Sequence, residues 1–272
     1  MIIIIIVSAP SLYLLTSCQS KLLYFPRSYP ADAVSQWQST HGESAQVLSY
    51  KTSQGQQRAF LQGNLNQPRC LWIACGGNAT LALDWSNWLA EHAHPDDAWL
   101  IFDMPGYGEC EGNPNPKRIR DSIKTVMPMA FQAVGWNSNP NPEKLRFFGH
   151  SLGSAVVLIA ASEYEIQQGV LLAPFTSTME MAEIMVGLPI GFLVTQRYDN
   201  VQRLAELKER GKGAIIIFHG ASDQIIPIQM SYDIQSKYPQ IIDVVTVVDA
   251  DHNALHVSAS NDISTALKSL GP

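Results

Sequence analysis

The chain has 272 residues, 46% of them hydrophobic and 15% charged, with a formal net charge of −6 at pH 7. That much apolar material fills one large core, and no repeat or low-complexity tract marks off a second domain. Lys and Arg form no long cluster, which excludes nucleic acid as a partner.

The N-terminus stands apart. MIIIIIVSAPSLYLLTSC is an apolar stretch of signal-peptide length, short for a membrane-spanning helix and interrupted by Pro10. Its end, Leu15-Thr16-Ser17-Cys18, resembles the lipobox of bacterial lipoproteins. That resemblance implies a signal peptide over residues 1–17, cleavage before Cys18 and acylation of the Cys18 thiol. It also implies a place in the bacterial cell envelope, as a membrane-anchored lipoprotein. Gln19 and Ser20 follow without an Asp, which favours the outer membrane over the inner. The pattern departs in one respect: no Lys or Arg precedes the apolar run. An uncleaved apolar anchor or a misplaced start codon is the alternative.

Residues 18–45 read as a tether lying on the domain that follows, residues 46–272. QVLSYKTS and QRAFLQGN flank Gly55 and alternate as an antiparallel hairpin. RCLWIACGG, AWLIFDMPG, LRFFGHS, GVLLAPF, AIIIFHG and DVVTVVDA are short apolar runs bounded by Gly, Pro, Asp or Asn. Continuous apolar runs of this length suit strands buried on both faces of a parallel sheet. Helical stretches lie between them. LALDWSNWLAEHA puts Leu81, Trp85, Trp88 and Leu89 on one face, and PKRIRDSIKTVMPMAFQAV opens with a proline suited to a first turn. Strand and helix alternate throughout, so the expected fold class is α/β, an open sheet wound with helices on both faces. In such sheets sites form beyond the carboxyl ends of the strands.

Three cysteines remain beside Cys18. None has metal-ligand spacing, and Cys70 and Cys75 read as buried strand residues. No cofactor and no metal are expected.

The loop GHSLGSA, residues 149–155, sits between a strand pattern and a helix pattern. A serine hydroxyl is a weak nucleophile at neutral pH; it needs a base, usually His, and the His needs an acceptor to hold its tautomer. G-x-S-x-G in this context is a nucleophile elbow, a turn so sharp that only glycines fit around the serine. On this scaffold the acid and then the His follow the serine in the chain. Asp223, after the strand AIIIFHG, and His252, after the last strand, stand in that order. The catalytic candidates are therefore Ser151, Asp223 and His252. His219 comes too early in its loop and reads as a packed structural residue. His150 is the chain neighbour of Ser151, so its side chain is expected to point elsewhere. His41, His92, His94 and His256 read as solvated. An oxyanion needs two donors. The N–H groups of Leu152 and Asn78 are expected to supply them, with Ala79 as the substitute for Asn78.

These motifs, with LLYFP, GGNA, FDMPGYGECEG, APFTS, HGASDQIIP and DADHN, resemble the serine α/β-hydrolases of the Bem46 and ABHD13/ABHD17-like group (the serine aminopeptidase S33 or hydrolase-4 type). The resemblance covers roughly residues 21–270. It implies the α/β-hydrolase fold, Ser151, Asp223 and His252 as the triad, and the GGNA loop as part of the oxyanion hole. It departs at Gly76, where that group has His. Asp103, Tyr107 and Gly108 read as residues that shape a loop beside the site. A small cap is expected over about 176–207, with Met179, Met181, Ile184, Met185 and Leu188 on an apolar face. That face either lines an acyl pocket or packs on the core. The expected substrate is a small acyl compound, an ester or thioester, and the expected membrane partner is reached through the lipid on Cys18. A non-catalytic binding lipoprotein, a peptidase and an acyltransferase on the same scaffold are the alternatives. The oligomeric state is not legible.

Overall fold

The apolar runs become the strands of one 8-stranded sheet, in the order β1-β2-β4-β3-β5-β6-β7-β8. The structure, a computed structural model, describes residues 19–136, 140–211 and 213–271. Cys18 and the apolar stretch before it lie outside the described residues.

β1 (Ala45–Thr52) and β2 (Gly55–Gly63) form the expected hairpin around Gly55, and β2 runs antiparallel to β4 (Ala98–Phe102). Every later pairing is parallel, through β3 (Leu71–Cys75), β5 (Leu145–His150), β6 (Gln168–Leu172), β7 (Ala214–Gly220) and β8 (Ile242–Val247). All residues of β3, β4 and β5 are buried, because helices cover both faces and every side chain meets a core.

Alternate strand residues feed two cores. Leu71, Ile73, Leu100, Phe147, Leu171 and Ile217 face one side; Trp72, Ala74, Trp99, Phe148, Leu172 and Phe218 face the other. In chain order the helices are α1 (Ala33–His41), α2 (Ser86–His92), α3 (Pro116–Ala133), α4 (Leu152–Tyr164), α5 (Thr178–Val186), α6 (Asn200–Glu209), α7 (Gln229–Lys237), α8 (Leu255–Ser258) and α9 (Ser260–Ser269). The first core takes α3, α4, α6 and α7, and the second takes α1, α2, α8 and α9. α3 starts on Pro116 with the Asn115 side chain accepting from the Arg118 N–H, so its first-turn donors are partly satisfied before any packing. α4 is apolar on all sides and is buried through its first ten residues, Leu152 to Ala161.

α5 and a short 3-10 turn, Gly191–Leu193, make the small cap between β6 and α6. The segment before α1 is more than a tether. Residues 19–23 are helical, and the chain from there to Tyr29 crosses the carboxyl ends of the strands as a strap. Cys70, Cys75 and Cys110 are buried thiols without disulfides.

Candidate active site

Ser151 follows the last residue of β5 and precedes α4, and its backbone is strained, with φ 53 and ψ −121. The neighbouring glycines show why. A Cβ on Gly149 would stand 2.6 Å from the Ser154 Cα, and one on Gly153 would fall on the Cys75 and Gly76 carbonyl oxygens. The start of α4 thus lies hard against the end of β3. The Ser151 N–H donates to the Leu172 carbonyl of β6 at 2.8 Å, fastening the turn from the other side.

Asp223 and His252 arrive from the ends of β7 and β8. His252 Nδ1 lies 2.6 Å from Asp223 Oδ2. Asp223 Oδ1 accepts the Ile225 and Ile226 N–H groups at 2.8 and 2.9 Å. Burial alone would push this carboxyl up. The bonds from His219, His252 and the Ile226 N–H outweigh it and hold the group well below the usual carboxylate range. An ionised Asp223 in turn keeps the proton of His252 on Nδ1 and leaves Nε2 as the basic nitrogen.

His219 is packed, as its position implies, and it also touches the acid. Its Nε2 lies 2.9 Å from the Ile226 carbonyl and 3.3 Å from Asp223 Oδ2, and its Nδ1 lies 2.7 Å from the Ser231 hydroxyl. A carbonyl only accepts, so the ring proton is on Nε2, shared with Asp223, and Nδ1 accepts from Ser231.

The expectation that His150 points away is corrected. Its ring centroid is 4.9 Å from that of His252, and its Nε2 lies 3.1 Å from the His252 carbonyl oxygen, to which it donates. Burial, then the nearby His252, pushes its pKa down to about 3, so it is a neutral hydrogen-bonding wedge beside His252. His256 is likewise not a solvated residue: it is half-buried, 5.0 Å from the Trp85 ring. Asp251 accepts the Asn253 and Ala254 N–H groups and shapes the turn after His252.

The Gly76–Ala79 loop abuts the serine. A Cβ on Gly77 would stand 3.3 Å from Ser151 Cβ and 3.0 Å from His150 Nδ1. The Leu152 and Asn78 N–H groups have no hydrogen-bond partner among the described residues. Leu152 belongs to the first turn of α4, whose donors are left open by helix geometry. The Ser151 hydroxyl also has no partner there, as is common before substrate tightens a site. A Cβ on Gly76 would stand 2.5 Å from the Trp85 indole nitrogen, so Trp85 fills the space a side chain at residue 76 would need.

Sequence spacing does not reveal the strap as part of this arrangement. The Phe25 N–H lies within bonding distance of both Asn78 Oδ1, at 2.8 Å, and the Tyr107 hydroxyl, at 3.0 Å, and the Tyr107 hydroxyl donates to Asn78 Oδ1 at 3.1 Å. Arg27 donates to the Ala79 carbonyl, and the Tyr29 hydroxyl donates to Asp103 Oδ2 at 2.6 Å. The other end is tied to the cap. Gln19 donates to the Leu193 carbonyl and accepts from Thr195, and the Tyr24 and Tyr198 hydroxyls meet at 2.8 Å. The one sequence signal for it is LLYFP ahead of the first strand. The apolar face of the cap is divided. Ile184, Met185 and Leu188 are exposed, and only Met181 packs on the core.

Among the described residues no group of His, Cys, Asp or Glu side chains could hold a metal ion. No helix there is long and apolar enough to cross a membrane.

No family model matches the chain. The uncharacterized protein YfhR of Salmonella typhimurium is 28% identical over 165 residues, which cover 56% of this chain and 54% of that protein. Alpha/beta hydrolase domain-containing protein 17C of Mus musculus is 23% identical over 164 residues, which cover 58% and 46%. The chain thus spans about half the length of the curated relatives it matches. Among solved structures, an alpha-beta hydrolase from Vibrio vulnificus superposes with a TM-score of 0.68 at 14% identity, covering 96% of this chain and 95% of that one. The Pyrococcus furiosus esterase Pf2001 gives 0.65 at 15% identity, covering 92% and 98%. The class that this sheet and its turns define is the α/β-hydrolase fold. Within it, the similarity to YfhR and to the ABHD17C protein is consistent with the Bem46/ABHD17-like group.

Proposed function

We propose that the protein is a serine hydrolase that cleaves small acyl esters or thioesters through an acyl-enzyme. The observation that supports this is the 2.6 Å pair of His252 and Asp223, together with a serine held in a strained elbow at the end of β5. His252 Nε2 takes the Ser151 proton as the Oγ attacks the acyl carbonyl. The Leu152 and Asn78 N–H groups receive the oxyanion. The carbonyl reforms, the bond to the leaving alcohol or thiol breaks, and His252 returns the proton to it. Water, deprotonated by the same nitrogen, releases the acid and restores Ser151.

The test is covalent labelling of the purified protein by a fluorophosphonate probe, beside Ser151→Ala. Labelling of the wild type alone supports the reading, and p-nitrophenyl esters of graded chain length then define the acyl group. A folded wild type that takes no label overturns it.

We further propose that the chain is an envelope lipoprotein tethered through Cys18. The apolar residues 1–17 and the lipobox-like Leu15–Cys18 support this. Metabolic labelling with a fatty-acid analogue checks it: incorporation is expected in the wild type and lost in Cys18→Ala.

A further inference from the structure

Among the described residues, most exposed large hydrophobic side chains gather in one place. Leu22, Phe25, Met185, Val186, Leu188 and Phe192 are all at least half exposed, with Met185 at 78%, Leu22 at 75% and Phe192 at 67%. Scattered apolar residues at a surface are ordinary, but a contiguous set marks an interaction face. The hydrogen-bond pattern makes this set contiguous. Gln19 is bonded to Leu193 and Thr195, and Leu22 lies one helical turn beyond it, so the helical residues 19–23 lie beside the Gly191–Leu193 turn. α5, which carries Met185 and Val186, is joined to that turn by the Gly191 N–H bond to Glu183.

Two further observations say what covers this face. The first is the chain that leads into it: Gln19, bonded to the cap, directly follows Cys18, the residue read above as the lipid attachment point. The second is charge. A cavity of about 260 Å³ between α3, α4 and α6 is lined by Lys117, Arg120, Arg197 and Arg203; the first, second and fourth pair with Asp121, Glu163 and Glu206, which leaves Arg197 as its uncompensated cation. Arg197 joins the two features. It donates to the Phe192 and Val194 carbonyls of the cap, and it pairs with no carboxylate among the described residues. In a protein of net charge −6, an exposed apolar face edged by an unpaired arginine suits a surface that is apolar within and anionic at its boundary.

We propose that the cap and strap form a docking face for an anionic lipid bilayer. Leu22, Met185, Leu188 and Phe192 enter the acyl boundary, and Arg197 meets the headgroup phosphates. The strap that runs from this face to the Gly76–Ala79 loop then presents the serine's side of the sheet to the membrane. The inference rests on the tethered reading given above, and the experiment separates the two.

The full chain is purified from membranes and reconstituted with vesicles of phosphatidylcholine and phosphatidylglycerol, with or without brominated acyl chains. Phe192→Trp adds a fluorophore on the face. Gln240→Trp adds one at the opposite end of the sheet, before β8. Each is read as the difference from wild type. The expected result is that brominated lipid removes about half or more of the Phe192→Trp emission and leaves Gln240→Trp unchanged, since an interfacial apolar face sits at the acyl boundary. Replacing the anionic lipid by phosphatidylcholine is expected to weaken that quenching several-fold. Vesicle binding without quenching of the Phe192→Trp emission overturns the docking face and leaves the tether standing. A blue shift that depends on protein concentration and not on lipid assigns the face to a second copy and overturns the proposal. Failure to bind vesicles overturns both readings.

Discussion

The elbow carries Ser151, the strap and cap hold the loop that abuts it, and the two regions are held in different ways. At the elbow, backbone meets backbone: α4 presses on the end of β3, and Ser151 is fastened to β6. Nothing there can move without a collision. The strap and cap rest on side-chain hydrogen bonds from Gln19, Tyr24, Asn78 and Tyr107, and the outer face is bare. Close packing gives Ser151 a fixed position; hydrogen bonds give the Gly76–Ala79 loop a position that single substitutions can alter by degrees.

The largest expected effect lies on the rigid side. Asp223→Asn keeps the shape of the acid but stops holding the proton of His252 on Nδ1, and kcat is expected to fall about 10⁴-fold with KM little changed. Steady-state ester hydrolysis reads this, and a loss below tenfold would remove Asp223 from the triad. Gly153→Ala drives a methyl group into two carbonyl oxygens that cannot yield, and a destabilisation on the order of 3 kcal/mol or more is expected in urea unfolding. A variant of wild-type stability would mean that the elbow is looser than its contacts imply.

The softer side is tested by Asn78→Ala, which keeps the main-chain donor and frees the Phe25 N–H and the Tyr107 hydroxyl. An approximately tenfold fall in kcat, with KM within about twofold, is expected from a misplaced oxyanion donor. Faster amide exchange at Phe25 should accompany it. An unchanged kcat would separate the strap from the oxyanion loop. The smallest effect concerns Asp103, which anchors Tyr29 and the Ala82 N–H. Burial raises its pKa to about 6, against those two hydrogen bonds. The folded state therefore holds this proton more tightly than the unfolded state. The contribution of Asp103 to stability is greatest below about pH 4 and is lost as pH rises through about 6. Asp103→Asn is expected to flatten that part of the stability profile in thermal melts from pH 4 to 7. An identical slope would show that Asp103 is ionised throughout.

The contrast also explains what can be read from the sequence. Strands buried on both faces must be short apolar runs, so β3 to β7 are visible as such. The order Ser151, Asp223, His252 follows from strand order, and Gly149 and Gly153 announce their own crowding. The neighbours of these residues are harder. Whether His150 turns toward His252 depends on the direction of a buried ring, which no spacing encodes. Trp85 reads as one face of a helix, but the space it fills belongs to Gly76. The strap is legible only as a tether, because its partners are far along the chain. The apolar face of α5 is visible as a pattern, and the pattern does not say which side is covered.

Those long-range partners have a consequence in time. The bond from Gln19 to Leu193 joins residues 174 positions apart. At a synthesis rate of about 5–20 residues per second, the strap waits roughly ten to thirty seconds for the cap to be made. Through that interval the N-terminal stretch has no cap to hold it, and it is available to whatever machinery receives an emerging chain. Asn78 and Tyr107 meanwhile stand ready, while Tyr24 lacks Tyr198 and Gln19 lacks the cap. The earliest residues described here thus settle among the last, and the site is completed only when the chain nears its end.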